Sequence, residues 1–418
     1  MAEVEQARPP LESVSVAVTL PFDVLCEIFK DASEKYQSYG YRRPRSVKAC
    51  SLVCSTWRDA AQHELFSEFT IYNHRKPSQA FYSAIARDPR HAHVAAYIKH
   101  LIIIADTENL ASSFDRDWPG FLLKLSNIRN VTFRRGDNES LLDPNIFTAE
   151  HRTAFLELLR SPYLIYLTID QSRNFPMHLI GCCPNLTTLT FRGARDITAR
   201  GDMIDYTPNC GYRSDLQTYS GSTMIQLQKL NLSGTCEEIV TIHRWIVAQP
   251  FISGSQLKKL ELSFSGRVSV GYAAILEQCA SVEELSLDFS NGFHLLSQND
   301  QAIPGVDPAV VLAVKKLRRF DAKLHYWCGH YSCGPVARYT LESWILPILQ
   351  NLPCPDLLGS LVIHIAGVPS IKPKPQQAPD NQVGVQRFME LVGNRLESVI
   401  QQRFTCLEQS VVRYPWTI

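Results

Sequence analysis

Hydrophobic and polar positions alternate along this chain in two rhythms, with the change falling near residue 68. From Leu20 to Phe66 the apolar residues follow a helical period. Val24, Leu25, Ile28 and Phe29 recur at i, i+1, i+4 and i+5, which predicts one apolar face on a helix opened by Leu20-Pro21. A proline at the first helical position gives up only an amide that had no partner, and Asp23 lies in the first turn, where the helix dipole favours an acid. Ser46 is placed to cap a second helix carrying Val47, Cys50, Val53 and Cys54, and Ser55 a third carrying Trp57, Ala60, Ala61, Leu65 and Phe66. About fifty residues make a marginal domain unless their apolar faces meet another protein or the next domain.

The order of residues narrows this further. Leu-Pro, then Val-Leu, then Ile-Phe, then Leu-Val-Cys with Trp three residues on, resembles the F-box, over about an eighth of the chain. The resemblance implies docking onto a Skp-type adaptor and, through it, a cullin. By position it assigns adaptor contact to Leu20, Pro21, Val24, Leu25, Ile28, Leu52, Val53, Cys54 and Trp57, with the N-terminal ones favoured. The stretch Ala32 to Arg45 is longer and more aromatic than the family's usual connection. It reads as a surface insertion, since lengthening a loop costs little.

Beyond residue 68 the pattern Leu-x-x-Leu-x-Leu recurs in loose form. Clear copies are Leu186-Leu189-Phe191, Leu227-Leu230-Leu232, Leu257-Leu260-Leu262 and Val282-Leu285-Leu287. Weaker copies begin at Ile98, Ile128, Leu164, Leu317 and Leu358. Helical periodicity lies between them, over Glu150 to Arg160, Met177 to Cys183, Glu237 to Gln249, Val270 to Cys279, Pro308 to Lys316 and Leu341 to Asn351. One strand and one helix cannot bury their apolar faces alone, so such units must stack into a solenoid with a parallel sheet and outer helices. Spacing between central positions runs from about 22 to about 41 residues, so the repeats are irregular. Where regular leucine-rich repeats place Asn or Cys, this chain has Ser172, Ala194, Thr235, Ser265 and Ser290, which offer the turn fewer bonds. The predicted fold class is therefore α/β: an N-terminal three-helix F-box-like unit, then an irregular leucine-rich-repeat solenoid. The combination looks like the F-box leucine-rich-repeat proteins common in fungi. The expected division is a tail over 1–17, helices over 18–68, repeats over 69–367, a proline-rich loop over 368–382, and a C-terminal capping helix and tail over 383–418.

Strand alternation also predicts an exposed surface. With the leucines inward, the opposite face carries Asn130, Thr132, Arg134, Tyr166, Thr168, Asp170, Thr188, Thr190 and Arg192. It continues through Lys229, Asn231, Lys259, Glu261, Glu284, Ser286, Asp288, Arg319, Asp321 and Lys323. Lys229, Lys259, Glu284 and Arg319 are the candidate contacts to a target protein, and cross-strand pairs such as Lys259 with Glu284 are the simpler use of the same residues.

Charge and cysteine usage set limits. Lys plus Arg is 42 against 41 for Asp plus Glu, so no net field holds nucleic acid or an anionic membrane. The start lacks a basic leader, and the run Val14 to Leu20 is too short to span a bilayer. Twelve scattered cysteines suit reduced thiols in the cytoplasm or nucleus. His325, Cys328, His330 and Cys333 are metal-competent, but structural zinc sites usually join two separated ligand pairs, so aromatic packing of Tyr326 and Trp327 is the favoured reading and no metal is assigned. Cys182-Cys183 reads as core. No P-loop, phosphate-cradling glycine loop or nucleophile elbow is present. The resulting expectation is a non-enzymatic substrate receptor of a cullin-based ubiquitin ligase with an unidentified target and no cofactor. A repeat scaffold with no ubiquitin role, and an α/β enzyme, are the alternatives.

Overall fold

The computed structural model describes residues 20–37, 45–72, 76–105, 116–135, 148–170, 177–193, 224–265, 275–276, 279–289, 314–325, 327–328, 331–332, 341–366, 390, 392–407 and 409–413. It opens with α1 (Phe22–Gln37), α2 (Arg45–Cys50) and α3 (Ser55–Leu65). The helix limits differ from expectation at two caps. Arg45 starts α2, so Ser46 lies inside it, and Cys54, in extended backbone, is the N-cap of α3 in place of Ser55. Leu52 and Val53 fall in the turn between the two helices.

Eleven parallel strands follow, each bonded to the next in the chain: β1 (Glu68–Tyr72), β2 (His100–Ala105), β3 (Asn130–Arg135), β4 (Tyr166–Asp170), β5 (Thr188–Arg192), β6 (Lys229–Gly234), β7 (Lys259–Phe264), β8 (Glu284–Asp288), β9 (Arg319–His325), β10 (Ser360–Ala366) and β11 (Gln409–Arg413). The register aligns Leu101, Val131, Leu167, Leu189, Leu230, Leu260, Leu285, Phe320 and Leu361 in one row, each 2% exposed or less. These are the central positions of the loose leucine repeats. One device ties successive strands: the carbonyl preceding each strand accepts two amides from the next repeat. Ser67 O takes the amides of Lys99 and His100, Lys99 O those of Arg129 and Asn130, and the series continues to Arg318 O with Gly359 and Ser360. A second tie, which the expected turn positions did not anticipate, sits three residues before three of the strands. Asn127 donates to Ala96 O at 3.0 Å, Asn185 to Pro162 O at 2.9 Å and Ser281 to Leu257 O at 2.9 Å.

Helices cover the buried face. α4 (Lys76–Arg87), α5 (Trp118–Leu122) and α6 (Ala149–Leu159) precede α7 (Cys236–Ala248), α8 (Leu346–Asn351) and α9 (Glu397–Arg403). Thr235 closes a capping box on α7: its hydroxyl accepts from the Glu238 amide at 3.3 Å, and the Glu238 carboxylate accepts from the Thr235 amide at 2.7 Å. Residues expected over Met177 to Cys183 form a 3-10 turn, Met177–Cys182. Those expected over Pro308 to Lys316 lie mainly outside the described residues, as do most of Val270 to Cys279, the polar stretch Ala199 to Ser222 and the proline-rich loop. The segment 383–418 was expected as a capping helix and tail. Around α9, Leu396 and Phe404 are buried in the main core, and the tail adds β11 in parallel beside β10.

The close approach of Gly193 to the end of β6 makes one stability prediction. A Cβ on Gly193 would stand 2.7 Å from the Ser233 carbonyl oxygen and 2.8 Å from the Gly234 Cα, and backbone cannot step aside cheaply. Gly193→Ala should therefore cost about 1–3 kcal/mol in urea unfolding. Gly254→Ala, whose Cβ would meet nothing within 4 Å, should leave the midpoint in place. Equal midpoints for the two variants would show that this close approach is slack.

Candidate functional site

Two surfaces answer to the expected sites. In the helical unit, Leu25, Phe29, Val47, Ala60 and Ala61 form a small core of their own, with Leu20, Cys26, Cys50 and Trp57 packed against it. Trp57 meets Phe29 edge to face, ring centroids 5.6 Å apart. Leu25 is 0% exposed, whereas Val24 and Ile28, one turn apart, are 43% and 48% exposed. The single apolar face expected of α1 is thus two faces, one packing the unit and one bare. Leu52 and Val53 are barer still, at 82% and 59%.

Of the nine expected adaptor contacts, Pro21, Val24, Ile28, Leu52 and Val53 are exposed. Leu20, Cys54 and Trp57 are half-buried, and Leu25, wholly enclosed, is a core residue with no surface to offer. Phe22 was not among the nine, yet it is exposed and its ring lies 6.3 Å from that of His63. Its signal was its place directly after Leu-Pro. Burial pushes the Cys26 and Cys50 thiols up, which keeps them protonated and inert as packing groups.

The unit joins the sheet without a spacer. Only Phe66 and Ser67 separate α3 from β1. Phe66 stacks on Phe81 at 5.4 Å, and Phe69 of β1 contacts Phe81 at 4.5 Å and Phe121 at 5.7 Å. His63 meets Tyr97 edge to face at 5.8 Å. The aromatic cluster fixes the helical unit to the first repeats.

The second surface is the exposed sheet face, and its register places side by side the residues that alternation assigned to it. Lys229, Lys259, Glu284 and Arg319 align in one row across β6 to β9. They are already engaged. Glu261, one row further along, takes Lys229 at 3.0 Å, Lys259 at 3.1 Å and the Asn231 amide at 2.9 Å. Lys259 also reaches Glu284 at 3.3 Å, the cross-strand pair expected from the sequence. Arg319 holds Asp321 at 3.0 Å, and Lys323 faces Asp288 at 3.7 Å. Partial burial works against the charge of Lys259, but its bonds to Glu261 and Glu284 outweigh that and raise its pKa. Burial would likewise raise the Glu261 carboxyl, yet the two lysines hold it below the ordinary range.

Because the folded Glu261 pKa is depressed, its contribution is present above the unfolded value and is lost as pH falls through the folded one. Glu261→Gln should cost about 1 kcal/mol at pH 7, a modest figure because water still reaches the network. Urea unfolding of the two proteins at pH 7 measures it, and identical curves would mean the network adds nothing.

Of the histidine and cysteine loop, Tyr326, Gly329, His330 and Cys333 lie outside the described residues. Within it Trp327–Cys328 pairs antiparallel with Tyr331–Ser332. Cys183 is fully buried, which pushes its thiol far up, and Cys182 is buried beside it, as core residues would be.

Residues 17–71 match the F-box-like family, a span that takes in all three helices and most of β1. Among solved structures the chain is similar to an internalin (inlF) from Listeria monocytogenes str. 4b F2365, at 14% identity and a TM-score of 0.27, over 66% of this chain and 65% of that one. The match spans just under two thirds of the internalin, and at that TM-score it carries no argument; the repeat architecture rests on the sheet register. No curated protein matches the chain. The class is an F-box-like helical unit leading into a leucine-rich-repeat solenoid. Among the described residues no helix is long and apolar enough to cross a membrane.

Proposed function

We propose that this protein is a substrate-receptor subunit of a cullin-based ubiquitin ligase, working in the cytoplasm or nucleus. The observation that carries the reading is the pairing of a filled interior with bare apolar side chains in the F-box-like unit. Leu25 and Phe29 already complete its core, so Val24, Ile28, Leu52 and Val53 are left to be covered by something outside it. Burying such side chains fully is worth about 1.5–3 kcal/mol each, which suits a docking surface. A Skp-type adaptor is the partner that the F-box-like family implies.

The role is non-enzymatic. Held by the adaptor at one end, the repeat domain carries a target near a conjugating enzyme and raises its effective concentration, while other subunits perform the covalent step. The spacer-free joint at Phe66 and Ser67 supports this reading, since a fixed path between docking unit and sheet holds the target at one distance. Mixing the full-length protein with recombinant adaptor and cullin should give one co-eluting species by size-exclusion chromatography with light scattering. Separate elution of the protein from the adaptor would leave a repeat scaffold with no ubiquitin role.

A further inference from the structure

We propose that the target is received on the exposed sheet face over β4 and β5, as an extended segment whose acidic side chain binds Arg192. The proposal rests on the receptor reading above and names the class of target that the repeats would take.

The argument begins with charge already spent. Every acid among the described side chains of this face has a basic partner: Glu68 with His100, Asp170 with Arg134, Glu261 with Lys229 and Lys259, Glu284 with Lys259, Asp288 with Lys323 and Asp321 with Arg319. A target that recruited one of these bases would first have to loosen an existing pair, so little net attraction remains there. Arg192 differs. It is exposed at the C-terminal end of β5, beside Asp170 in register, and Asp170 is committed to Arg134 Nε at 3.0 Å. Among the described cations of this face, Arg192 has no acidic partner. The row Arg134, Asp170, Arg192 therefore carries an excess positive charge.

The surroundings favour a carboxylate with an apolar neighbour. Thr168 and Thr188 offer hydroxyls nearby and add no charge. Tyr166, on β4 two residues before Thr168, is 42% exposed. Tyr166 is in register with Thr188, four residues before Arg192, so strand rise and strand spacing separate the Cα atoms of Tyr166 and Arg192 by about 14 Å, the reach of about four residues in an extended chain. An arginine can take a carboxylate through two parallel bonds, which fixes orientation as well as charge. The occupant is thus a target segment with Asp or Glu about four residues from an aromatic or aliphatic side chain.

The test uses full-length protein and two defined probes, fluorescein-labelled random copolymers of glutamate with tyrosine and of lysine with tyrosine, followed by anisotropy at physiological salt. The glutamate copolymer should bind and the lysine copolymer should not. Arg192→Glu should weaken binding about tenfold or more, while Arg192→Lys, which keeps the charge, should lose only a few-fold. The neutral double variant Lys259→Gln with Glu284→Gln should bind the copolymer as the parent does. No binding of the glutamate copolymer, an Arg192→Glu variant that binds unchanged, or a loss as large in the double variant would each overturn the proposal. Adaptor co-elution measured on the same variants reports on the receptor reading separately. If the adaptor fails to bind while the copolymer result stands, the receptor reading falls and the site remains.

Discussion

Lowering the pH from 7 to 4.5 should cost the folded protein about 2.5 kcal/mol more than it costs a His243→Leu variant. His243 lies on α7, 4% exposed, and burial pushes its pKa from the ordinary 6.5 down to about 4. The folded chain keeps this imidazole neutral where the unfolded chain would protonate it. A depressed histidine therefore contributes stability above about 6.5 that drains away as pH falls towards 4. Glu261 acts in the same direction only at lower pH, because its folded pKa lies below the ordinary 4.5. Urea unfolding at pH 7 and 4.5 on both proteins isolates the histidine, since all other groups cancel in the difference. Parallel losses in parent and variant would show that water reaches His243. Leucine keeps the site apolar beside Ile239, Ile242 and Ile246, so the variant should fold.

The repeat half of the fold was legible because its determinant is local. A leucine at the centre of each short strand cannot face water, and the positions read from the sequence are the ones the register aligns. The two strands that were missed carry the same spacing in other residues. β1 is preceded by Phe66, with Phe69 and Ile71 at the offsets where leucines stand elsewhere, and aromatic substitution hid it. β11 follows Leu407 with Ser410 at the central position, so the pattern breaks where it is normally strongest.

The helical unit shows a different limit. At about 100° per residue, Val24, Ile28, Leu25 and Phe29 span about 140° of the helix, which is wider than one contact face. Periodicity found the stripe but could not divide it. Only the position of α3, bringing Ala60, Ala61 and Trp57 against Leu25 and Phe29, decides which half is inside. On the sheet face, alternation placed the charged rows correctly. The partners depend on how far each side chain reaches across strands, as with Lys229 passing to Glu261 on the next strand, and that reach is not written in spacing. Arg192 stood in the same rows without distinction until its neighbour Asp170 was seen to be taken.

The largest effect on function is expected at the bare half of α1 and the turn after α2. Ile28→Asp with Leu52→Asp should weaken adaptor binding by at least about 2 kcal/mol, roughly thirtyfold, because a charge would have to be buried unpaired where an apolar contact stood. The same two changes should leave the fold intact, since neither side chain belongs to the small core. Leu25→Ala should do the reverse. It opens a cavity in that core at a cost of about 2–5 kcal/mol and acts on adaptor binding only through the stability of the unit.

The central claim is that the F-box-like unit docks an adaptor through Val24, Ile28, Leu52 and Val53. Isothermal titration of a recombinant Skp-type adaptor into the full-length protein and into the Ile28→Asp, Leu52→Asp variant, with circular dichroism to confirm equal helix content, tests it most directly. One-to-one binding by the parent and a loss of about thirtyfold or more in the variant is the predicted result. Equal affinities in two equally folded proteins, or no binding by the parent at all, would contradict it.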